Sequence, residues 1–195
     1  KTNIGGGWHT DHSYDLEPAM GSVLLARELP DEGGDTLFAN MYLAFEALSP
    51  GLQRTLEGMR AVHGAAHIFG PKGVHKSNPE SAARYGNDHL AGDDVLHPVV
   101  IRHPLSGRKA LYVNPAFTLR FEDWSVEDSK PLLDHLYRHA TRPEFTCRFR
   151  WQPGSIAFWD NRATWHYAAN DYHGERRLMH RITVAGCALQ PATAH

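Results

Sequence analysis

The sequence predicts a β-sandwich or barrel carrying helical insertions. Three observations lead there: short apolar runs bounded by Gly and Pro, one stretch in which apolar and polar residues strictly alternate, and helical periodicity confined to a few separate windows. In chain order, Gly21 to Arg27 and Leu37 to Ala39 are strand-like runs, and Pro30 to Asp35 between them has turn chemistry. From Met41 to Met59, apolar residues recur at three- and four-residue steps, broken by Ser49-Pro50-Gly51, which predicts two short helices. Residues 64–95 are rich in Gly, Pro, Asn, Asp and His without periodicity, and a lid or mobile loop is expected there. Val99 to Ile101 and Ala110 to Val113 flank Pro104 to Arg108 and predict a hairpin. Ser125 to Thr141 aligns Leu132, Leu133, Leu136, Tyr137 and Ala140 on one helical face, with Glu127 and Asp128 near the start. Phe145, Cys147, Phe149 and Trp151 alternate with Thr146, Arg148 and Arg150, the pattern of a half-buried strand. Ser155 to Trp159 and Ile182 to Ala185 complete the strands.

The 195 residues, against the ~150 of an average domain, predict one domain over 1–195. Hydrophobic residues are 42% and charged residues 22%, which excludes a disordered chain. Lys plus Arg total 20 against 22 acids, a net charge of −2, so no global basic field points to nucleic acid or an anionic membrane. No run of about 18 apolar residues suggests a membrane span. The two cysteines, Cys147 and Cys187, form no CxxC pair and imply no disulfide framework; a reducing compartment, the cytoplasm, is the expected location. Fourteen histidines are many for this length, and several fall between His63 and His103.

His9 and Asp11 stand two residues apart, so in extended backbone both project from one face and reach one ion. A metal needs a third ligand. His63 with His67 and His135 with His139 are i,i+4 pairs, but neither has an acid in a ligand pattern nearby, and solvent-exposed or capping roles are expected for them. His166 lies in the dense segment Trp159-Asp160-Asn161-Arg162-Ala163-Thr164-Trp165-His166-Tyr167, with Arg177 eleven residues beyond.

The blocks WHTD at 8–11, GGDT at 33–36, WDNR at 159–162 and RRLMHR at 176–181 agree in order and spacing with a known family. With LHPVVIRHPLSGRKALYVN between them, the chain resembles, over nearly its whole length, the taurine dioxygenase and 2,4-dichlorophenoxyacetate dioxygenase family of Fe(II)/2-oxoglutarate oxygenases. The resemblance implies a mainly β double-stranded β-helix (jelly roll, cupin-like) with helical insertions, lacking the segment that relatives carry before the first block. It implies Fe(II), with 2-oxoglutarate and O2 as co-substrates, and hydroxylation of a small substrate with release of succinate and CO2.

Residue by residue, the match assigns His9, Asp11 and His166 to the metal, a facial triad that leaves three coordination positions open. Arg177 and Thr36 fall where relatives hold the distal carboxylate of 2-oxoglutarate, which a guanidinium fork suits better than an ammonium. Arg181, four residues beyond Arg177, matches the position that grips a substrate anion, implying a sulfonate, sulfate ester or carboxylate. Asn114 and Phe117 match a segment lining the substrate pocket, and Trp159 is expected to pack beside the iron. His12 departs from the small apolar residue of the taurine-type motif, which implies an altered pocket. The presence of Asp11 favours hydroxylation over halogenation. Two alternatives stand beside this reading: the same chemistry on an amino acid or carrier-bound acyl group, and a jelly-roll metal-binding protein without turnover. The resemblance also carries an expectation of a dimer or tetramer, with no nucleic-acid or membrane partner.

Overall fold

The computed structural model describes residues 6–70, 73 and 92–193. Its strands are β1 (Gly21–Glu28), β2 (Thr36–Asn40), β3 (Arg60–His63), β4 (Val95–Pro98), β5 (Val100–Arg102), β6 (Lys109–Leu111), β7 (Thr118–Phe121), β8 (Thr146–Phe149), β9 (Ile156–Asp160), β10 (Thr164–Ala168) and β11 (Leu178–Val184). The helices are α1 (Met41–Glu46), α2 (Pro50–Glu57), α3 (Ala66–Phe69) and α4 (Val126–Ala140). The architecture is mainly β with few helices, as the sequence predicts.

Every strand pair among the described residues is antiparallel. Two three-stranded sheets, β11-β1-β9 and β10-β2-β8, bear the candidate residues Thr36, Trp159, His166 and Arg181; β4-β3-β7 and the β5-β6 hairpin complete the strands. The register sets which side chains face inward. Leu24 lies opposite Arg181 and Ala157, and Ser22 opposite Thr183 and Trp159, so Ser22, Leu24, Arg181 and Trp159 share one face of the first sheet. In the second sheet Phe38 lies opposite His166, and the Phe38 and Trp159 rings meet at 5.4 Å. The two sheets thus face one another around a small cluster of Ala26, Trp151, Ala157 and Trp159.

The larger core lies on the other side of β10 and β2. Trp165 and Ala39 turn into it and meet Met41, Phe45, Leu136, Leu111 and Phe121. The helices obey their local signals. Asn40 caps α1, accepting from the backbone N–H groups of Tyr42 and Leu43. Ser125 caps α4, whose first turn carries Glu127 and Asp128 and whose last carries Arg138 and His139, complementing the helix dipole at both ends.

Three expectations change. Cys147 is exposed, because β8 is an edge strand of its sheet and its alternation is only half covered. His63 is not a surface residue paired with His67: it is fully buried on β3, while His67 sits on α3. The lid expected over 64–95 falls mostly outside the described residues; within them its ends form α3 and the start of β4.

Candidate active site

His9 and His166 are drawn together by backbone before any side chain acts. The His9 N–H donates to the His166 carbonyl at 3.1 Å and the His166 N–H to the His9 carbonyl at 2.8 Å, a bridge that adds residue 9 to the edge of β10. Their rings then lie 4.1 Å apart. Beyond His9 the chain turns sharply, with His12 at φ 61°, and Asp11 swings into the gap. Its carboxylate lies 3.7 Å from His9 Nε2 and 3.6 Å from His166 Nε2, too long for hydrogen bonds. One ligand atom from each of the three residues falls within 4.8 Å of the others, and no other such group of three metal-ligating side chains occurs among the described residues.

The protonation states suit a cation. His9 Nδ1 pairs with the Gly7 carbonyl at 2.8 Å, leaving Nε2 as the lone-pair nitrogen. Burial, with His9 adding to it, pushes His166 down to about 3, so its imidazole is neutral at ordinary pH. Burial works to raise Asp11, but the basic side chains around it, His166, Arg181, His9 and His12, outweigh it and hold the carboxyl below the usual carboxylate range. Two imidazoles and a carboxylate fit a divalent first-row ion.

Asp11 has two further partners. Arg181 Nη2 donates to Asp11 Oδ2 at 2.7 Å and to Ser22 Oγ at 2.9 Å, while Ser22 Oγ reaches Asp11 Oδ2 at 3.3 Å. Arg181 keeps 39% of its side chain exposed, so the rest of the guanidinium remains open. Trp159 stacks 4.9 Å from His166.

Thr36 and Arg177 lie in the same inter-sheet region, joined through Trp151. The Trp151 indole N–H donates to Thr36 Oγ1 at 3.0 Å, and the Arg177 guanidinium carbon lies 5.9 Å from both the Trp151 and Tyr172 rings. Arg177 Nε is buried without a hydrogen-bond partner, and burial lowers its pKa. An unpaired buried guanidinium N–H, linked through one indole to a buried hydroxyl, fits a carboxylate that arrives with its own charge. The two glycines of GGDT explain the approach. Gly33 and Gly34 both have positive φ, and a Cβ on Gly34 would stand 3.1 Å from Arg177 Nε.

The remaining residues form a wall. Tyr14 stacks edge-on against Phe117 at 4.8 Å and lies 6.0 Å from Phe69. Burial raises the Tyr14 phenol, with Asp15 and Asp11 adding to it. His12 turns to Asp15, 2.8 Å from its carboxylate. Asn114 is fully buried: its amide donates to Ser13 Oγ and its carbonyl accepts from the N–H groups of Ala116 and Phe117. It therefore meets a ligand only through the segments it holds. Sequence reasoning missed Tyr14, Ser22 and Trp151. An aromatic three residues beyond Asp11 was the available signal for Tyr14; Ser22 and Trp151 act through partners far away in the chain.

The family model described as "Taurine catabolism dioxygenase TauD, TfdA family" matches residues 1–183. The alkylsulfatase of Acinetobacter baylyi is 40% identical over 182 residues, 92% of this chain and 56% of that one. The alpha-ketoglutarate-dependent sulfate ester dioxygenase of Pseudomonas putida is 36% identical over 180 residues, 92% of this chain and 59% of that one. Among solved structures, a taurine dioxygenase from Burkholderia xenovorans superposes with a TM-score of 0.77 at 35% identity, covering 97% of this chain and 60% of the other. The chain thus spans less than two thirds of the length of these relatives.

Proposed function

The chain belongs to the taurine catabolism dioxygenase TauD, TfdA family, and from that premise we propose an Fe(II)- and 2-oxoglutarate-dependent dioxygenase, on a jelly-roll frame, that hydroxylates a small anionic substrate. The observation that carries this reading is the pairing of two features: the His9, Asp11 and His166 cluster, and the buried, unpaired Arg177 Nε joined to Thr36 through Trp151. A metal-binding protein without turnover has no use for the second.

When bound, Fe(II) supplies the activation of O2 that couples decarboxylation of 2-oxoglutarate, to succinate and CO2, with hydroxylation of a substrate C–H bond. The protein's own groups bind and orient. His9, neutral His166 and ionised Asp11 would hold the ion. Arg177 and the Thr36 hydroxyl would hold the distal carboxylate of 2-oxoglutarate. Arg181 steadies Asp11 through one nitrogen and offers its exposed remainder to a second anion. Tyr14, Phe117 and Phe69 line an apolar wall that suits an alkyl chain beside that anion. His12 and Asn114 would shape this pocket through Asp15 and Ser13, and Trp159 shields the His166 side from water.

The names of the Acinetobacter and Pseudomonas relatives point to a sulfate ester, and that of the Burkholderia structure to taurine, a sulfonate. Hydroxylation of the carbon bearing the sulfate oxygen gives a hemiacetal sulfate, which collapses to an aldehyde and sulfate. The test is anaerobic addition of Fe(II) and then 2-oxoglutarate, read by the visible charge-transfer band of keto-acid chelation. Admission of O2 with alkyl sulfates, sulfonates or carboxylates then reports turnover as succinate. A band followed by succinate release stimulated by an anionic substrate is expected. A folded chain that gives neither overturns the proposal.

A further inference from the structure

We propose that Thr10 is a positioning residue for the metal triad, clamped by the turn that joins β9 to β10, and that the His103, Asp160 and Arg162 cluster exists to lock that turn. The inference rests on the functional reading above and concerns residues to which that reading gives no role.

Thr10 stands between His9 and Asp11 in the chain and is 2% exposed. Its hydroxyl does not face the site; it donates to the backbone carbonyl of Asn161 at 2.6 Å, a bond across 151 residues. Asn161 is itself tied down, its N–H donating to the Met20 carbonyl at 2.9 Å and its side-chain amide to the Ala19 carbonyl at 3.3 Å. Five residues beyond Asn161, on the strand the turn launches, is His166. The stretch that holds the residue between two ligands therefore also sets the third. With the His9–His166 backbone bridge, the closed circuit leaves the three ligands little freedom to move independently.

The lock is ionic and partly buried, with the Asp160 side chain 28% exposed. Asp160 Oδ1 accepts from the Arg162 N–H and Nε, both at 2.9 Å, and Oδ2 accepts from Arg162 Nη2 at 2.6 Å. His103 Nε2 donates to the same Oδ2 at 2.9 Å. The direction of that bond is fixed, because His103 Nδ1 accepts from the N–H groups of Leu105 and Ser106. Arg162 and His103 are both buried. A partly buried ion cluster is a poor source of net stability, so one that fastens a single turn is best accounted for by the geometry it enforces. The surroundings of metal ligands commonly tune affinity by 10–100-fold.

The test uses Mn(II) as an O2-inert probe on the full chain, with binding followed by electron paramagnetic resonance and folding of the metal-free protein by circular dichroism. Thr10→Val keeps the shape and removes the donor; it is expected to weaken Mn(II) binding about 10–100-fold. Thr10→Ser, which keeps the donor, is expected to stay within about threefold of wild type, and His103→Phe to weaken binding in the same direction as Thr10→Val. Should the valine variant not fold, Thr10→Ala replaces it. A Thr10→Val protein that unfolds at lower temperature yet binds Mn(II) like wild type has lost only a structural bond, and that result overturns the proposal. So does equal loss in Thr10→Ser, and unchanged binding in His103→Phe overturns the lock. A folded wild-type chain that binds no Mn(II) overturns the functional reading instead.

Discussion

Burying the Asp11 carboxylate costs free energy that Arg181 and Ser22 offset by hydrogen bonding to one of its oxygens, and the His166 imidazole facing it remains unprotonated as a consequence of its own burial. Arg177 stands in the opposite condition, desolvated and lacking a partner at Nε, so its binding contribution appears when a carboxylate arrives. Arg177→Ala is expected to weaken 2-oxoglutarate binding by about 2–5 kcal/mol, roughly 30-fold to a few thousand-fold, with Mn(II) affinity retained. Titration calorimetry on the Mn(II)-loaded chain reads this directly, and equal affinity in the variant removes Arg177 from the site. A second residue effect lies away from the site. His63 and His97 pack against each other and Tyr112, and burial pushes both imidazoles down, His63 well below the ordinary histidine value. Below about pH 6.5 the unfolded chain then binds protons that the folded chain refuses. Stability is therefore complete above that pH and lost as pH falls through it. Urea midpoints at pH 7.5, 6.5 and 5.5 should decline in that order, and less steeply in His63→Phe; a flat wild-type profile contradicts the assignment.

Helix α4 shows an element whose sequence signal and structure coincide. The expected span of 125–141 matches Val126–Ala140 between its caps, because its apolar positions repeat with the helical period and both ends carry cap and charge signals. Leu133, Leu136 and Ala140 fill the core as the periodicity demands. Leu136→Ala is expected to cost about 2–5 kcal/mol in denaturant unfolding without changing Mn(II) affinity per folded molecule. Phe158 on β9 reads as equally apolar in sequence, yet it is 59% exposed on the outer face of β11-β1-β9, beside Val23 and near Ile182. Phe158→Lys is therefore expected to stay within about 0.5 kcal/mol of wild type, and a loss comparable to Leu136→Ala would mean that the face is covered in solution. Strands β3, β4, β7 and β10 were not legible. Each is four or five residues long without clean alternation, and each exists through pairing with a strand distant in sequence.

The site draws on segments from opposite ends of the molecule, so ligand binding should act on global stability. Mn(II) at 100 times its dissociation constant is expected to add about 2.7 kcal/mol to unfolding, and Asp11→Ala to abolish the increment. Thermal melts with and without metal decide this, and an unshifted wild-type melt contradicts the triad. The sequence by itself determined the mainly β class, the hairpin, the principal helix and, through four ordered blocks, His9, Asp11, His166, Thr36 and Arg177 as candidates. The class, the hairpin and the helix are properties of local periodicity, and the candidates come from the resemblance of the four blocks to a known family; the chain carries both before it folds. The tertiary structure alone decided that Arg181 braces Asp11, that Trp151 joins Thr36 to Arg177, that Asn114 faces inward to Ser13, and that Thr10 hangs from Asn161. Each of these is a hydrogen bond or ring contact between residues 101 to 170 positions apart, except the Trp151–Arg177 contact at 26, and all depend on strand register. Register is set by the summed pairing and burial of whole sheets rather than by any residue within a short window.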